Sequence, residues 1–422
     1  MPLNPLERQV LDAIDVEGML SFLCRLIAVP SLDGEETDAQ RLVAEQMERC
    51  GLEVDLWEID LEDLRRHPAF SEEVPRQTAL GLVGRLGNSA KGQSLILNGH
   101  VDVVPAGEPA KWHYPPWQGT LTDRRVYGRG AVDMKGGLCC ALFAAKALRD
   151  AGVELADSLL IQSVVGEEDG GTGTLATLAR GYRAAGAIIM EPTDLAVVPA
   201  QAGAMNFRLV VPGISAHGSM RRQGVSAIEK FLPLFSALQE LEKARNARID
   251  HPLMARHQLP YPISIGTVRA GNWASSVPEE LICEGRFGAA IGEDPAEARH
   301  RLELAVQTAA DADPWLSQHP PTVEWWGGQF EPAETPMDDP IVAVVQDAVQ
   351  SLTGARPEIE GVSYGADLRL LVNEGGIPAV LFGPGDVRVA HQTDEFVPID
   401  DLLIVVRALA LVAMRYCGIA DD

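Results

Sequence analysis

Ser94-Leu95-Ile96-Leu97-Asn98-Gly99-His100-Val101-Asp102 is a short apolar run that ends in a histidine and an aspartate. Its first five residues read as a buried strand, too brief for a helix and bounded by glycine. The same design recurs downstream. Ser158–Val165 runs into Gly166-Glu167-Glu168-Asp169, and Ala187–Met190 runs into Glu191-Pro192-Thr193. Ala379–Phe382 leads through Gly383-Pro384-Gly385 to Ala390-His391-Gln392-Thr393-Asp394-Glu395. Helical stretches, Gly137–Leu148 and Gly173–Ala179, stand between these runs. Strands alternating with helices predict an α/β fold with a mostly parallel sheet and helices on both faces. Ligands of such sheets bind just beyond the carboxyl ends of the strands, so these histidines and carboxylates are expected on one rim.

Outward from that core the pattern changes after Pro199. Asn206–Val211 alternates, Val225–Ala244 is helical, Ile263–Val268 and Leu281–Phe287 are strand-like, and Pro295–Ala310 is helical. That order describes a compact α+β two-layer unit inserted in the larger domain. α/β character then returns with a helix at Ile341–Leu352 and another at Leu402–Tyr416. The expected organisation is a catalytic domain in two parts, 1–201 and 320–422, around an inserted domain at 202–319. A chain of 422 residues suits about two or three domains.

Bulk properties narrow the function. A net charge of −25 leaves no basic stripe to displace counterions from phosphates, which argues against nucleic acid. No apolar run approaches the roughly 18 residues that cross a bilayer, so no membrane role is expected. Met1–Ile27 mixes Arg8, Asp12, Asp15 and Glu17 into an amphipathic pattern without the blocks of a secretion signal, and the expected location is cytoplasmic. The six cysteines lack C-x-x-C spacing and predict no disulfide framework; Cys139 and Cys140 read as small core residues.

The chemistry is carried by what the strand ends present. Imidazole and carboxylate without thiolate suit zinc, and also manganese or cobalt. Two ions about 3.5–4 Å apart need a carboxylate between them. Asp133, in the glycine-flanked turn Gly130-Ala131-Val132-Asp133-Met134-Lys135-Gly136-Gly137, is the candidate bridge. His100, His391, Glu168 and Glu191 can supply each ion with a histidine and a carboxylate. Asp102 shares a strand side with His100 and can accept its second ring N–H. Glu167 and Glu168 point opposite ways, so one binds metal and the other is free to move a proton.

These segments resemble the zinc aminoacylase and deacetylase family, which includes acetylornithine deacetylase, succinyl-diaminopimelate desuccinylase and glutamate carboxypeptidase. The likeness spans nearly the whole chain through GHVDVVPAG (99–107), YGRGAVDMKGG (127–137), GEEDGGTGT (166–174), MEPT (190–193) and AHQTDE (390–395). It implies that His100, Asp133 and Glu191 hold one ion, that Asp133, Glu168 and His391 hold the other, and that Glu167 is the acid/base. It also implies that the inserted domain is a lid through which a homodimer forms. His217, in Gly213-Ile214-Ser215-Ala216-His217, would stabilise the oxyanion of a neighbouring active site. Arg369, in Asp367-Leu368-Arg369, and Arg286 would bind a substrate anion. One departure stands out: Ser275-Ser276-Val277-Pro278, with Trp273 nearby, replaces the family's Asn-x-x-Pro and implies an altered pocket.

The expected activity is therefore two-zinc hydrolysis of an N-acyl amino acid or related small N-acyl amine. A metal-bound hydroxide would be the nucleophile, with Glu167 passing its proton to the departing nitrogen. Three rivals share the sequence: a dipeptidase or carboxypeptidase, a deformylase or amidase acting on a heterocyclic amine, and a non-catalytic binding protein.

Overall fold

The computed structural model describes residues 2–87 and 93–420. It divides into two compact units. One comprises Met1–Pro199, Glu334–Glu360 and Ala366–Asp422; the other comprises Ala200–Ala333 and Gly361–Gly365.

The first unit is built on a twisted mixed sheet. From one edge, six of its strands run in the spatial order Glu53–Glu58, Leu80–Leu86, Leu159–Val164, Leu95–His100, Gly186–Ile189, Ala379–Leu381, and Val197–Gln201 follows antiparallel to the last. The last four of those six pair in parallel, whereas Leu80–Leu86 pairs antiparallel with both of its neighbours. Leu95–His100 and Leu159–Val164 are buried along their full length, as expected of strands covered on both faces. Helix Gly136–Asp150 packs on helix Ile399–Cys417, which packs in turn on Pro340–Thr353. Thr37–Arg49 and Thr172–Ala179 lie against strand Leu80–Leu86.

Small residues allow Gly136–Asp150 to begin hard against the strand ends. A Cβ on Gly137 would lie 2.3 Å from the Met190 carbonyl oxygen, so only glycine lets the helix pass the strand that delivers Glu191. Cys139 and Cys140 are fully buried in this helix, as core residues.

The second unit is an antiparallel sheet in the order Ile263–Ala270, Glu280–Ala289, Gly203–Pro212, Thr322–Phe330. Helices Ala227–Asn246 and Pro295–Asp311 pack on each other, closing a core of Phe207, Leu209, Leu234, Phe287 and Leu302. Ser226 and Asp294 cap the two helices by accepting backbone N–H groups of the first turn. Strand Thr322–Phe330 extends this unit as far as Ala333. Its pairing with Gly203–Pro212 shifts register between Trp325 and Gln329, which breaks the alternation by which a strand is read. Among the described residues no helix is long and apolar enough to cross a membrane.

Candidate metal centre

His100 is the last residue of its strand and is 1% exposed. Glu167 and Glu168 stand on the loop that leaves Leu159–Val164, Glu191 just beyond Gly186–Ile189, and His391 on the loop after Ala379–Leu381. Asp133 occupies the irregular turn before helix Gly136–Asp150, where its peptide bond to Met134 is cis.

These side chains converge. His100 Nε2 lies 3.1 Å from Asp133 Oδ1, while His391 Nε2 lies 3.4 Å from Asp133 Oδ2 and 3.1 Å from Glu168 Oε1. Glu191 Oε1 and Glu167 Oε2 each stand 3.9 Å from His100 Nε2. The ligand atoms of His100, Asp133 and Glu168 fall within 4.8 Å of one another, as do those of His100, Glu167 and Glu191.

The cluster carries more negative charge than its own side chains neutralise. Burial, reinforced by Glu191, pushes Glu167 well above the usual carboxylate range; burial, reinforced by Asp133, does the same to Glu191. Burial alone would lower the His100 imidazole, but Asp102 and Asp133 hold it well above its ordinary value. Hydrogen bonds from His391 to Asp133 and Glu168 raise His391 to about 10. Glu167 and Glu191 are thus held up while, against burial, hydrogen bonds from His100 and His391 hold Asp133 below the usual range, a crowding of carboxylates and imidazoles that a divalent cation would offset. The donor set of nitrogen and carboxylate oxygen fits divalent zinc, manganese or cobalt.

The surroundings hold these groups in place. His100 Nδ1 donates to the backbone carbonyl of Asp102 at 2.9 Å, which leaves Nε2 facing the carboxylates. The Asp102 carboxylate, expected to be that acceptor, is 3.8 Å away and instead accepts the Glu168 N–H at 2.9 Å. The Glu167–Glu168 loop is pinned from behind by Arg76, which is fully enclosed and donates to Asp169, Thr172 and Glu36 at 3.0–3.1 Å. Glu395 accepts the N–H groups of Val132 and Asp133 and pairs with Arg129. Lys135 is completely buried and donates to the carbonyls of Leu26 and Val29. None of Arg76, Asp169, Arg129, Glu395 and Lys135 was singled out by the sequence reading. Arg129, Lys135, Asp169 and Glu395 lie inside the quoted motifs, where a charged residue has little surface to occupy, whereas Arg76 lies outside them and carries no such signal.

The anion-binding candidates differ. Arg369 is 3% exposed and donates to the carbonyls of Gly170 and Ala69, at 2.7 and 3.3 Å. In the second unit Arg286 donates to the Ser363 carbonyl, its Nε is buried without a hydrogen-bond partner, and burial lowers its pKa. His217, also in the second unit, is exposed; its Nδ1 meets the Ser219 hydroxyl at 2.8 Å. Its strand pairs through Ser276, and the Ser275 carbonyl accepts the Gly218 N–H, so Trp273 heads the turn beside it, 73% exposed.

The chain is similar to known proteins along nearly its whole length. The chain is 31% identical over 432 residues to the N-formyl-4-amino-5-aminomethyl-2-methylpyrimidine deformylase of Halalkalibacterium halodurans, covering 95% of each chain. It is 30% identical over 424 residues to the succinyl-diaminopimelate desuccinylase of Methylorubrum populi, covering 95% of this chain and 98% of that one. A dipeptidase of Saccharomyces cerevisiae superposes with a TM-score of 0.77 at 16% identity, over 97% of this chain and 98% of that one, and shares the fold. Residues 96–415 match peptidase family M20/M25/M40. The chain belongs to that family and is a metal-dependent hydrolase of amide bonds.

Proposed function

We propose that the protein hydrolyses the amide bond of a small N-acyl amine at a pair of zinc ions. His100, Asp133 and Glu191 would hold one ion; Asp133, Glu168 and His391 would hold the other. The observation that carries this reading is the division of Asp133, whose two carboxylate oxygens face different histidines. Ions held there would polarise the substrate carbonyl and lower the pKa of a water by several units. Glu167, enclosed and 3.9 Å from His100 Nε2, is placed to act as the general base and acid: it would accept a proton from that water and return it to the amine nitrogen as the carbon–nitrogen bond breaks. Asp102 fixes the His100 ring through its carbonyl and the Glu168 backbone through its carboxylate. The second unit would serve as a lid and dimerisation domain that brings His217 to the oxyanion of a partner's site.

Deacylation is favoured over peptide cleavage because the named relatives at 30% identity or more remove formyl or succinyl groups. An amino-acid amine is supported by Arg286, a half-buried guanidinium with no carboxylate among its described partners, suited to a carboxylate. A heterocyclic amine is the second reading, supported by the deformylase relative and by the exposed indole of Trp273 beside His217. The test is a kcat/KM panel on the zinc-loaded enzyme: N-formyl, N-acetyl and N-succinyl amino acids, an N-formyl aminomethylpyrimidine, and dipeptides. An N-acyl compound should lead the panel by about tenfold or more, the scale of one well-recognised group. Faster cleavage of a dipeptide would replace this reading with a peptidase.

A further inference from the structure

Glu395 is 1% exposed and uses both carboxylate oxygens. Oε1 accepts the N–H groups of Val132 at 3.0 Å and Asp133 at 3.3 Å. Oε2 accepts Nη1 of Arg129 at 2.6 Å. Arg129, 3% exposed, anchors its other arm on the Pro105 carbonyl at 3.3 Å and lies over the Trp112 ring. The main chain of Glu395 joins in as well, its carbonyl accepting the Gly128 N–H at 3.0 Å. One residue therefore ties the loop that carries His391 to the turn that carries Asp133 and to the segment that leads into it.

That tie matters because neither segment is regular. Asp133 lies in a turn outside helical geometry, at φ −119° and ψ 95°. His391 sits in the left-handed region at φ 60°, which a residue with a side chain rarely adopts without support from its surroundings. Metal ligands need their distances held to about ±0.2 Å. Neither backbone offers that by itself.

We infer that Glu395, oriented by Arg129, is a positioning residue that locks the Asp133 turn to the His391 loop and thereby sets the affinity for the ion pair. The inference rests on the two-zinc reading above. Glu395 touches neither ion nor substrate in this scheme; it acts through the two ligands it spaces.

The experiment strips the full-length chain of metal and titrates zinc against a competing chelator, for wild type, Glu395→Gln and Arg129→Lys. Circular dichroism of the metal-free proteins reports folding separately. Glu395→Gln keeps the side-chain shape but presents an amide to the Arg129 guanidinium. Its zinc affinity should fall about 10–100-fold, the usual cost of losing a residue that orients a ligand. Arg129→Lys keeps the charge and loses the two-armed anchor, so affinity should fall in the same direction by less. A role confined to general stability would lower the melting temperature of the metal-free protein and leave zinc affinity at the wild-type value. Wild-type affinity in a folded Glu395→Gln protein overturns the inference. Should that variant fail to fold, wild-type affinity in Arg129→Lys overturns it instead. A wild-type chain that takes up no ion overturns the two-zinc reading, and this inference with it.

Discussion

Glu167 and Glu168 are neighbours in sequence, yet their carboxylates meet different histidines, Glu167 near His100 and Glu168 hydrogen-bonded to His391. That division makes separate predictions. Glu167→Gln should lower kcat by about 10²–10⁴-fold, the usual weight of a general acid/base, while elemental analysis still finds two ions per chain. Glu168→Gln should lose metal as well as activity. Ordinary turnover by Glu167→Gln would remove this residue from the mechanism. Strand alternation would send adjacent side chains opposite ways, but the two stand in a turn beyond strand Leu159–Val164, and a carboxylate oxygen of each comes within 4.8 Å of a His100 ring nitrogen. The partner of His100 was less accessible. Two acceptors on one residue, a carbonyl and a carboxylate, compete for the same N–H, and only backbone geometry decides that the carbonyl prevails. Arg76 was illegible for a related reason: a guanidinium looks the same in a sequence whether it is solvated or enclosed beneath a catalytic loop.

Strands with every residue buried are the easiest elements to read, and the four that deliver the centre all fall within a residue or two of their expected bounds. Thr322–Phe330 is harder. The register shift between Trp325 and Gln329 interrupts the alternation by which it would be read. Elements also meet where no pattern shows it, as at Gly137. Adding one methyl there drives it into the Met190 carbonyl, a backbone atom that cannot swing aside. Gly137→Ala should therefore destabilise the protein by about 1–3 kcal/mol, the range for overpacking a dense interior, although alanine favours a helix elsewhere. Urea unfolding of the metal-free protein measures it. A midpoint equal to or above wild type would mean that helix Gly136–Asp150 can shift away from the strand end.

The whole molecule is strongly acidic, and its acids divide into two populations with opposite effects on stability. At the surface the Arg180 guanidinium beside Asp55 holds that carboxyl below the usual range. Stability from this pair is present above the ordinary carboxylate pKa of about 4 and is lost as pH falls through the folded value. Inside the first unit the sign reverses. Burial, aided by the Asp102 carboxylate, pushes Asp33 up to about 9, and burial pushes Asp367 up to about 6. Each then keeps a proton in the folded state that the unfolded chain releases, so stability declines as pH rises from about 4 toward those values. The metal-free protein should accordingly melt at a higher temperature near about pH 5 than near about pH 8.5. Zinc should narrow that gap, because cations among Asp133, Glu168 and Glu191 offset the field of Glu168 and Asp102 that acts on Asp33. Thermal melts across this range, with chelator and with zinc, test both statements. A metal-free melting temperature that climbs from the acidic to the alkaline end would show that the buried acids are ionised and compensated without any ion, which the crowding of carboxylates around His100 and His391 does not allow.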